Sequence, residues 1–305
     1  MMHETKLWRA FETLTSTELK QFGWFLDSPY HNQRADTRAL FDVLKGFRGA
    51  NGEVSYEEVW AGVFPKKKFD DPSFRHLCRY LLALLEEFWA LNRFRKSDEM
   101  RIKVGEAYGV RGLGELGRGV TRKLRRKLQK REGRSAVELL TSFLLEQAHF
   151  EVHQRELRSF KPGLQGMSDA LDRWYLVQKM KLACAMGSQQ RVFKTEYKPG
   201  LLGPVLDLVK EEEWQAEPLI AIYASTFEMV HGPETERAYR RQVTLLAEHT
   251  DLLTADEQRT LYLMSINFCI RQLNAGAGEF LAEVYQLYKR GLDEGWLFER
   301  GQLTP

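Results

Sequence analysis

The sequence predicts an all-α protein, an irregular α-solenoid or helical-repeat array preceded by an N-terminal helical module. Three observations predict it. β-Branched and aromatic residues nowhere alternate with polar ones for more than a few positions, so strand signals are nearly absent. Helix-start signals recur along the whole chain. Short turns containing Gly, Pro or Asn separate the amphipathic segments, which makes sequential helices antiparallel neighbours.

The starts come first. Thr15 with Glu18, Ser55 with Glu58, Ser135 with Glu138 and Thr254 with Glu257 have the Ser/Thr-x-x-Glu spacing of a capping box. In that motif two backbone amides with no partner inside the helix are satisfied reciprocally. Pro72 follows Asp70 and Asp71 and suits the first helical turn, because its φ is already helical and its missing N–H would be unpaired there. These signals predict helices near 3–13, 16–27, 35–47, 55–63 and 72–95, a module over 1–96 with a core stripe of Leu77, Leu81, Leu84, Leu85 and Phe88.

A second group is predicted near 98–108, 114–131, 135–160, 167–188, 200–212, 216–231, 234–249, 254–274 and 277–294, forming a helical-hairpin array over 97–305. Its period is irregular, and no stretch keeps the 34-residue tetratricopeptide pattern through two repeats. The segment 254–274 is apolar nearly all round, which predicts a central helix with Asn267 as a buried structural amide. Thr304-Pro305 reads as the start of another helix, and 277–294 carries Phe280, Leu281, Val284, Tyr285, Leu287, Tyr288 and Leu292 around much of its surface, which should be covered. The array is therefore expected to be truncated at its C-terminal end.

Composition narrows the class. Of 305 residues, 43% are hydrophobic and 29% charged, which excludes a disordered or collagen-like chain. The first fifteen residues mix charges with apolar residues, unlike a secretory signal. The longest strongly apolar run, Tyr80 to Leu85, is far below the roughly 20 residues that span a bilayer. Cys78, Cys184 and Cys269 are odd in number and widely spaced in apolar helical stretches, which suits a reducing cytoplasm rather than a disulfide framework. A net charge of +3 is too balanced for a protein dominated by phosphate contacts, so any nucleic-acid contact would be local.

Several phrases carry a resemblance: Phe25-Leu26-Asp27-Ser28-Pro29 with Asn32, Tyr108-Gly109-Val110-Arg111-Gly112-Leu113, Asn267-Phe268-Cys269-Ile270 followed by Asn274-Ala275-Gly276, and Leu287-Tyr288-Lys289. Together they resemble an uncharacterised family of all-helical, tetratricopeptide-like proteins of Bacteroidetes-type bacteria. The likeness runs over essentially the whole chain. It implies a fold and an interaction role rather than a reaction, and it carries over no catalytic residues. Leu14 to Phe22 is also similar to the opening helices of pyrin domains, although a capped amphipathic helix gives the same letters.

No constellation predicts an enzyme, a cofactor or a metal. Gly112-Leu113-Gly114-Glu115-Leu116-Gly117, with Glu132 twenty residues beyond Gly112, fits the letters of a dinucleotide fingerprint, but no βαβ unit can be drawn around it. Glu146 with His149 and Glu228 with His231 share the Glu-x-x-His spacing of di-iron bundles, yet that chemistry needs a Glu from each of two further helices. His149 and His153 stand one turn apart without the protease order of residues. No nucleophile elbow or phosphate loop occurs.

The strongest polar feature is Arg118 to Arg134. It holds Arg118, Arg122, Lys123, Arg125, Arg126, Lys127, Lys130, Arg131 and Arg134 against one acid, Glu132, with Val120, Leu124 and Leu128 as a narrow apolar stripe. Such a face can be merely solvated, or can meet Glu211-Glu212-Glu213, an acidic protein partner or phosphates. No aromatic interleaves it, so base stacking is not indicated. The expectation is a non-enzymatic scaffold that binds a protein or peptide between stacked helices, with nucleic-acid binding through 118–134 as the alternative and no membrane partner.

Overall fold

A computed structural model describes residues 1–49, 54–130, 134–156, 163–193, 195–232, 235–295, 297–299 and 302–303. The chain divides into two compact units, Met1–Met100 and Arg101–Pro305. Among the described residues it is all-helical apart from one two-residue ladder. No helix there is long and apolar enough to cross a membrane.

The first unit holds α1 (Lys6–Glu12), α2 (Ser16–Leu26), α3 (Ala35–Phe47), α4 (Tyr56–Val63) and the long α5 (Asp71–Lys96). Both predicted capping boxes are formed: Glu18 accepts from the Thr15 amide at 2.8 Å and Glu58 from the Ser55 amide at 2.8 Å. Asp70 caps α5 by accepting from the Ser73 amide at 3.0 Å, with Pro72 in the first turn. α5 packs on α1, α2 and α3, and its Leu77, Leu81, Leu85 and Phe88 close a core around Trp8, Phe11, Phe22 and Phe41. Asn32 is the buried amide of this unit. Its side chain donates to the Leu26 and Arg34 carbonyls and accepts from the Arg34 amide, each at 3.0 Å, so the turn from α2 to α3 leaves no polar group stranded.

The second unit runs through α6 (Asp98–Val110), which begins at the division, α7 (Gly114–Gln129), α8 (Ala136–Glu156) and α9 (Leu164–Phe193). It continues with α10 (Leu202–Leu208), α11 (Glu212–Gln215), α12 (Pro218–His231), α13 (Thr235–Glu248), α14 (Ala255–Asn274) and α15 (Phe280–Asp293). The ladder pairs β1 (Phe298–Glu299) with β2 (Gln302–Leu303) antiparallel, and Thr304 and Pro305, read as a helix start, lie outside the described residues. The core is built where α9 packs on α8 and α12, and α12 on α13 and α14. The remaining capping boxes are present at Ser135 with Glu138 and at Thr254 with Glu257.

Two expectations need correction. The helix expected at 200–212 ends at Leu208, and the short α11 occupies the turn expected before 216, because Lys210 and Glu211 turn back on the Asp207 and Leu208 carbonyls at 3.3 and 3.1 Å. The side-chain amide of Gln215 then takes the Val209 carbonyl that a continuing helix would have used. Asn267 is not buried. Asp256, Thr260, Asn267, Arg271 and Asn274 form one exposed stripe along α14, while Leu261, Tyr262, Met264, Ser265, Phe268 and Cys269 face the core. The buried amide joining α14 to a neighbour is Gln242 of α13, which lies 2.8 Å from the Ser265 hydroxyl and donates to the Leu261 carbonyl at 3.4 Å. On α15, Phe280 and Leu287 are buried, whereas Leu281, Tyr285, Tyr288 and Leu292 are exposed.

α7 has only a narrow apolar stripe, and glycines let it approach α6. A Cβ on Gly117 would lie 2.9 Å from the Gly105 carbonyl oxygen. Gly117→Ala is therefore expected to destabilise the second unit by about 1–3 kcal/mol, because backbone rather than a flexible side chain must yield. Urea denaturation checks this, and an unchanged midpoint would refute it.

Candidate functional site

The structure places Arg118, Arg122, Lys123, Arg125, Arg126 and Lys127 on α7 and Lys130 at its C-terminal cap, and divides the basic residues into two groups. Leu124, Leu128 and Thr121 are buried, which fixes the face that α7 turns inward. Arg125 lies at the edge and reaches α8, donating through Nε to Glu146 Oε1 at 3.0 Å and through Nη2 to Oε2 at 2.6 Å. A two-pronged pair of this kind holds one helix to the next. Arg118 is engaged by Glu115 on its own helix, and Arg134 donates to the Ser142 hydroxyl at 3.3 Å.

Arg122, Lys123, Arg126, Lys127 and Lys130 are exposed, and their spacing puts them on one face. Of these, Arg122, Lys123, Arg126 and Lys130 have no ion pair among the described residues. Arg131 lies outside the described residues. Glu211, Glu212 and Glu213 are exposed, and no ion pair among the described residues joins them to α7.

The glycine-rich phrase before this face links two helices. Gly112 sits at φ +73° in the turn, and Gly114 and Gly117 open α7 after helix α6, where a dinucleotide fingerprint requires a strand. Glu146 is held by Arg125, and the side chain of His153 lies outside the described residues. No group of three His, Cys, Asp or Glu among the described residues is placed to hold a metal ion.

A second feature was only half legible in the sequence. α9, α10, α11, α12 and α13 enclose a cleft of about 400 Å³. Met180, Leu206, Val209, Ala224 and Phe227 supply its apolar lining. Glu228 and His231 stand along it, as do Lys210 and Arg241. The Glu-x-x-His spacing thus marks a cleft wall. Arg241 donates to Gln215 Oε1 at 2.7 Å, which braces α13 against α11. Ser225, also on the lining, has a buried hydroxyl with no hydrogen-bond partner among the described residues. Gly187 of α9 makes room for the wall, since a Cβ there would fall 1.9 Å from His231 Nε2. Nothing in the sequence marks Ser225 or Arg241, because their convergence depends on how four helices cross.

A polar junction joins α9, α12 and α14. Glu257 Oε1 accepts from Lys181 Nζ at 2.6 Å and from the Tyr223 hydroxyl at 3.3 Å, while Oε2 accepts from the Thr254 amide at 3.0 Å. The cap of α14 is therefore also the tie to α9 and α12. Burial alone would raise the Glu257 carboxyl, but the hydrogen bonds from Lys181 and Thr254 outweigh it and hold the group below its ordinary value. The Tyr223 hydroxyl is pushed up, first by burial and then by the nearby Glu257 charge.

The cysteines are free thiols. Cys184 donates to the Tyr223 carbonyl at 3.3 Å, and burial raises its thiol. Burial pushes the Cys78 thiol up to about 12 and also raises Cys269. These settings disfavour the nucleophilic thiolate.

Comparison with protein-family models, with curated proteins and with solved structures finds no match to this chain.

Proposed function

We propose that the chain is a non-catalytic helical scaffold, with its second unit an irregular α-solenoid, that binds a segment of a partner protein in the cleft between α9, α10, α12 and α13. The observation that carries this reading is the lining: an apolar floor of about 400 Å³ with a few convergent polar groups. That composition is what recognition sites use, burial supplying affinity and placed polar atoms supplying orientation. Three free thiols, two of them buried, suit a reducing cytoplasm. The resemblance to tetratricopeptide-like proteins points to the same role.

A photo-crosslinking amino acid at Leu206 tests it in the native cell. The expected result is capture of a discrete partner, lost in Ala224→Trp, which fills the cleft, while far-ultraviolet circular dichroism stays unchanged. Equal capture with and without Ala224→Trp overturns the reading.

The exposed cations of α7 favour a second reading, phosphate binding along 122–130. Under it, a duplex oligonucleotide binds at low salt, weakens steeply as salt rises and is released by the triple change Arg122→Glu, Arg126→Glu and Lys130→Glu. Absence of low-salt affinity removes this reading and leaves the first untouched.

A further inference from the structure

The first unit carries a groove of about 380 Å³ between α2 and α5. Its floor is aromatic and firmly held. Phe25 and Phe88 pack with centroids 5.7 Å apart, and the His31 ring stacks on Phe25 at 4.1 Å while its Nδ1 lies 3.0 Å from Glu87 Oε1. Trp24 stands at the rim with 61% of its surface exposed, and Tyr30, beyond His31, is 88% exposed. Fixed aromatics beside a groove are the side chains that most often anchor a protein partner, since they bury large area with few rotors to freeze.

The polar lining specifies what could lie there. Gln21, Ser28, Asn92 and Arg95 line the groove, and their side chains have no hydrogen-bond or ion-pair partner among the described residues. A carboxamide offers a donor and an acceptor together, the complement of one peptide unit. In a helix those units are already bonded, whereas an extended segment leaves them free. Charge gives the sign of the ligand. No carboxylate lines the groove, Glu87 on its flank is engaged by His31, and α5 ends in Arg93, Arg95 and Lys96. Lys20 adds an ammonium 5.2 Å from the centre of the Trp24 ring.

We propose that this groove binds an extended segment of a partner protein, with an apolar or proline side chain laid on Trp24 and an acidic residue beyond it paired with Arg95. The Gln21 and Asn92 amides read the main chain between them. This site shares no lining residue with the cleft of the second unit.

The test is fluorescence polarisation on the full chain with fluorescein-labelled acetyl-Gly-Leu-Pro-Asp-Asp-Gly and its Lys-Lys counterpart. The expected result is binding of the Asp-Asp peptide only. Trp24→Ala should weaken it at least about tenfold, and Arg95→Glu should exchange the preference toward the Lys-Lys peptide. Arg95→Lys should retain the acidic preference, which guards against an effect of misfolding, and Ala224→Trp should change nothing, which separates this site from the other cleft. Indifference to Trp24→Ala and Arg95→Glu overturns the proposal. So does failure of the Asp-Asp peptide to bind up to about 1 mM, or binding of a single-stranded oligothymidylate in its place.

Discussion

Glu257→Ala is expected to lower the stability of the second unit by about 3 kcal/mol, a fall in melting temperature of roughly 6–12 °C. The substitution removes the reciprocal half of the α14 capping box, the carboxylate that accepts from the Thr254 amide, which contributes up to about 1 kcal/mol. It also strands the hydroxyl of the buried Tyr223, at a cost of about 1–3 kcal/mol. Lys181 adds little, because its side chain is 40% exposed and returns to water.

The pH dependence follows from the direction of the Glu257 shift. Its folded carboxyl sits below the ordinary value, so the unfolded chain takes up the proton more readily. Its stabilisation is complete above the unfolded carboxyl value of about 4.3 and is lost as pH falls through the folded one. Glu257→Gln should remove this acid-side component. Thermal melts between neutral and acidic pH measure both effects. A Glu257→Ala protein that melts within a degree of the parent would show that the junction carries no net stability.

Phe268→Ala is expected to cost about 4 kcal/mol. Phe268 is 1% exposed, stacks on Tyr239 at 5.0 Å and meets Phe280 edge-on at 5.7 Å, so truncation opens a cavity where α13, α14 and α15 join. The loss should spread. Tyr239 donates to Glu283 at 3.0 Å and Arg240 to the same carboxylate at 2.6 Å, a link that needs the Tyr239 ring held in place. Urea unfolding should show the lower midpoint, and near-ultraviolet dichroism a weakened aromatic signal. Phe268→Leu, which refills most of the space, should recover more than half of the loss. A loss below about 1 kcal/mol for the alanine variant would refute the packing argument.

The helix starts were legible because a capping box is local: four residues contain both donors and both acceptors. The helix read at 200–212 ran four residues past the end of α10, and α11 was missed, because the break depends on Gln215 reaching back to the Val209 carbonyl, which no periodicity encodes. Asn267 was misplaced because Leu263, Ile270 and Leu273 were counted as core, whereas Ile270 is 36% exposed and the other two are only partly buried. α7 was legible as a cationic helix but not in its division, since only the docking of α8 shows that Arg125 is engaged and Arg122 is not. Trp24 could have been noticed: Leu19, Phe22 and Leu26 mark the inward face of α2, and Trp24 lies about 200° around the helix from Phe22. What lies opposite it on α5 is a tertiary fact.

The buried thiols make the molecule its own stopwatch. Cys78, half-buried, belongs to the first unit and the buried Cys184 and Cys269 to the second, and burial raises all three thiols above their ordinary value. An alkylating reagent consumes thiolate, so at the buried Cys184 and Cys269 it must wait for the surrounding helices to part, whereas the half-buried Cys78 lines an open groove. The rates at which peptides carrying Cys184 and Cys269 gain mass would then record how often the second unit opens around each, with no residue replaced.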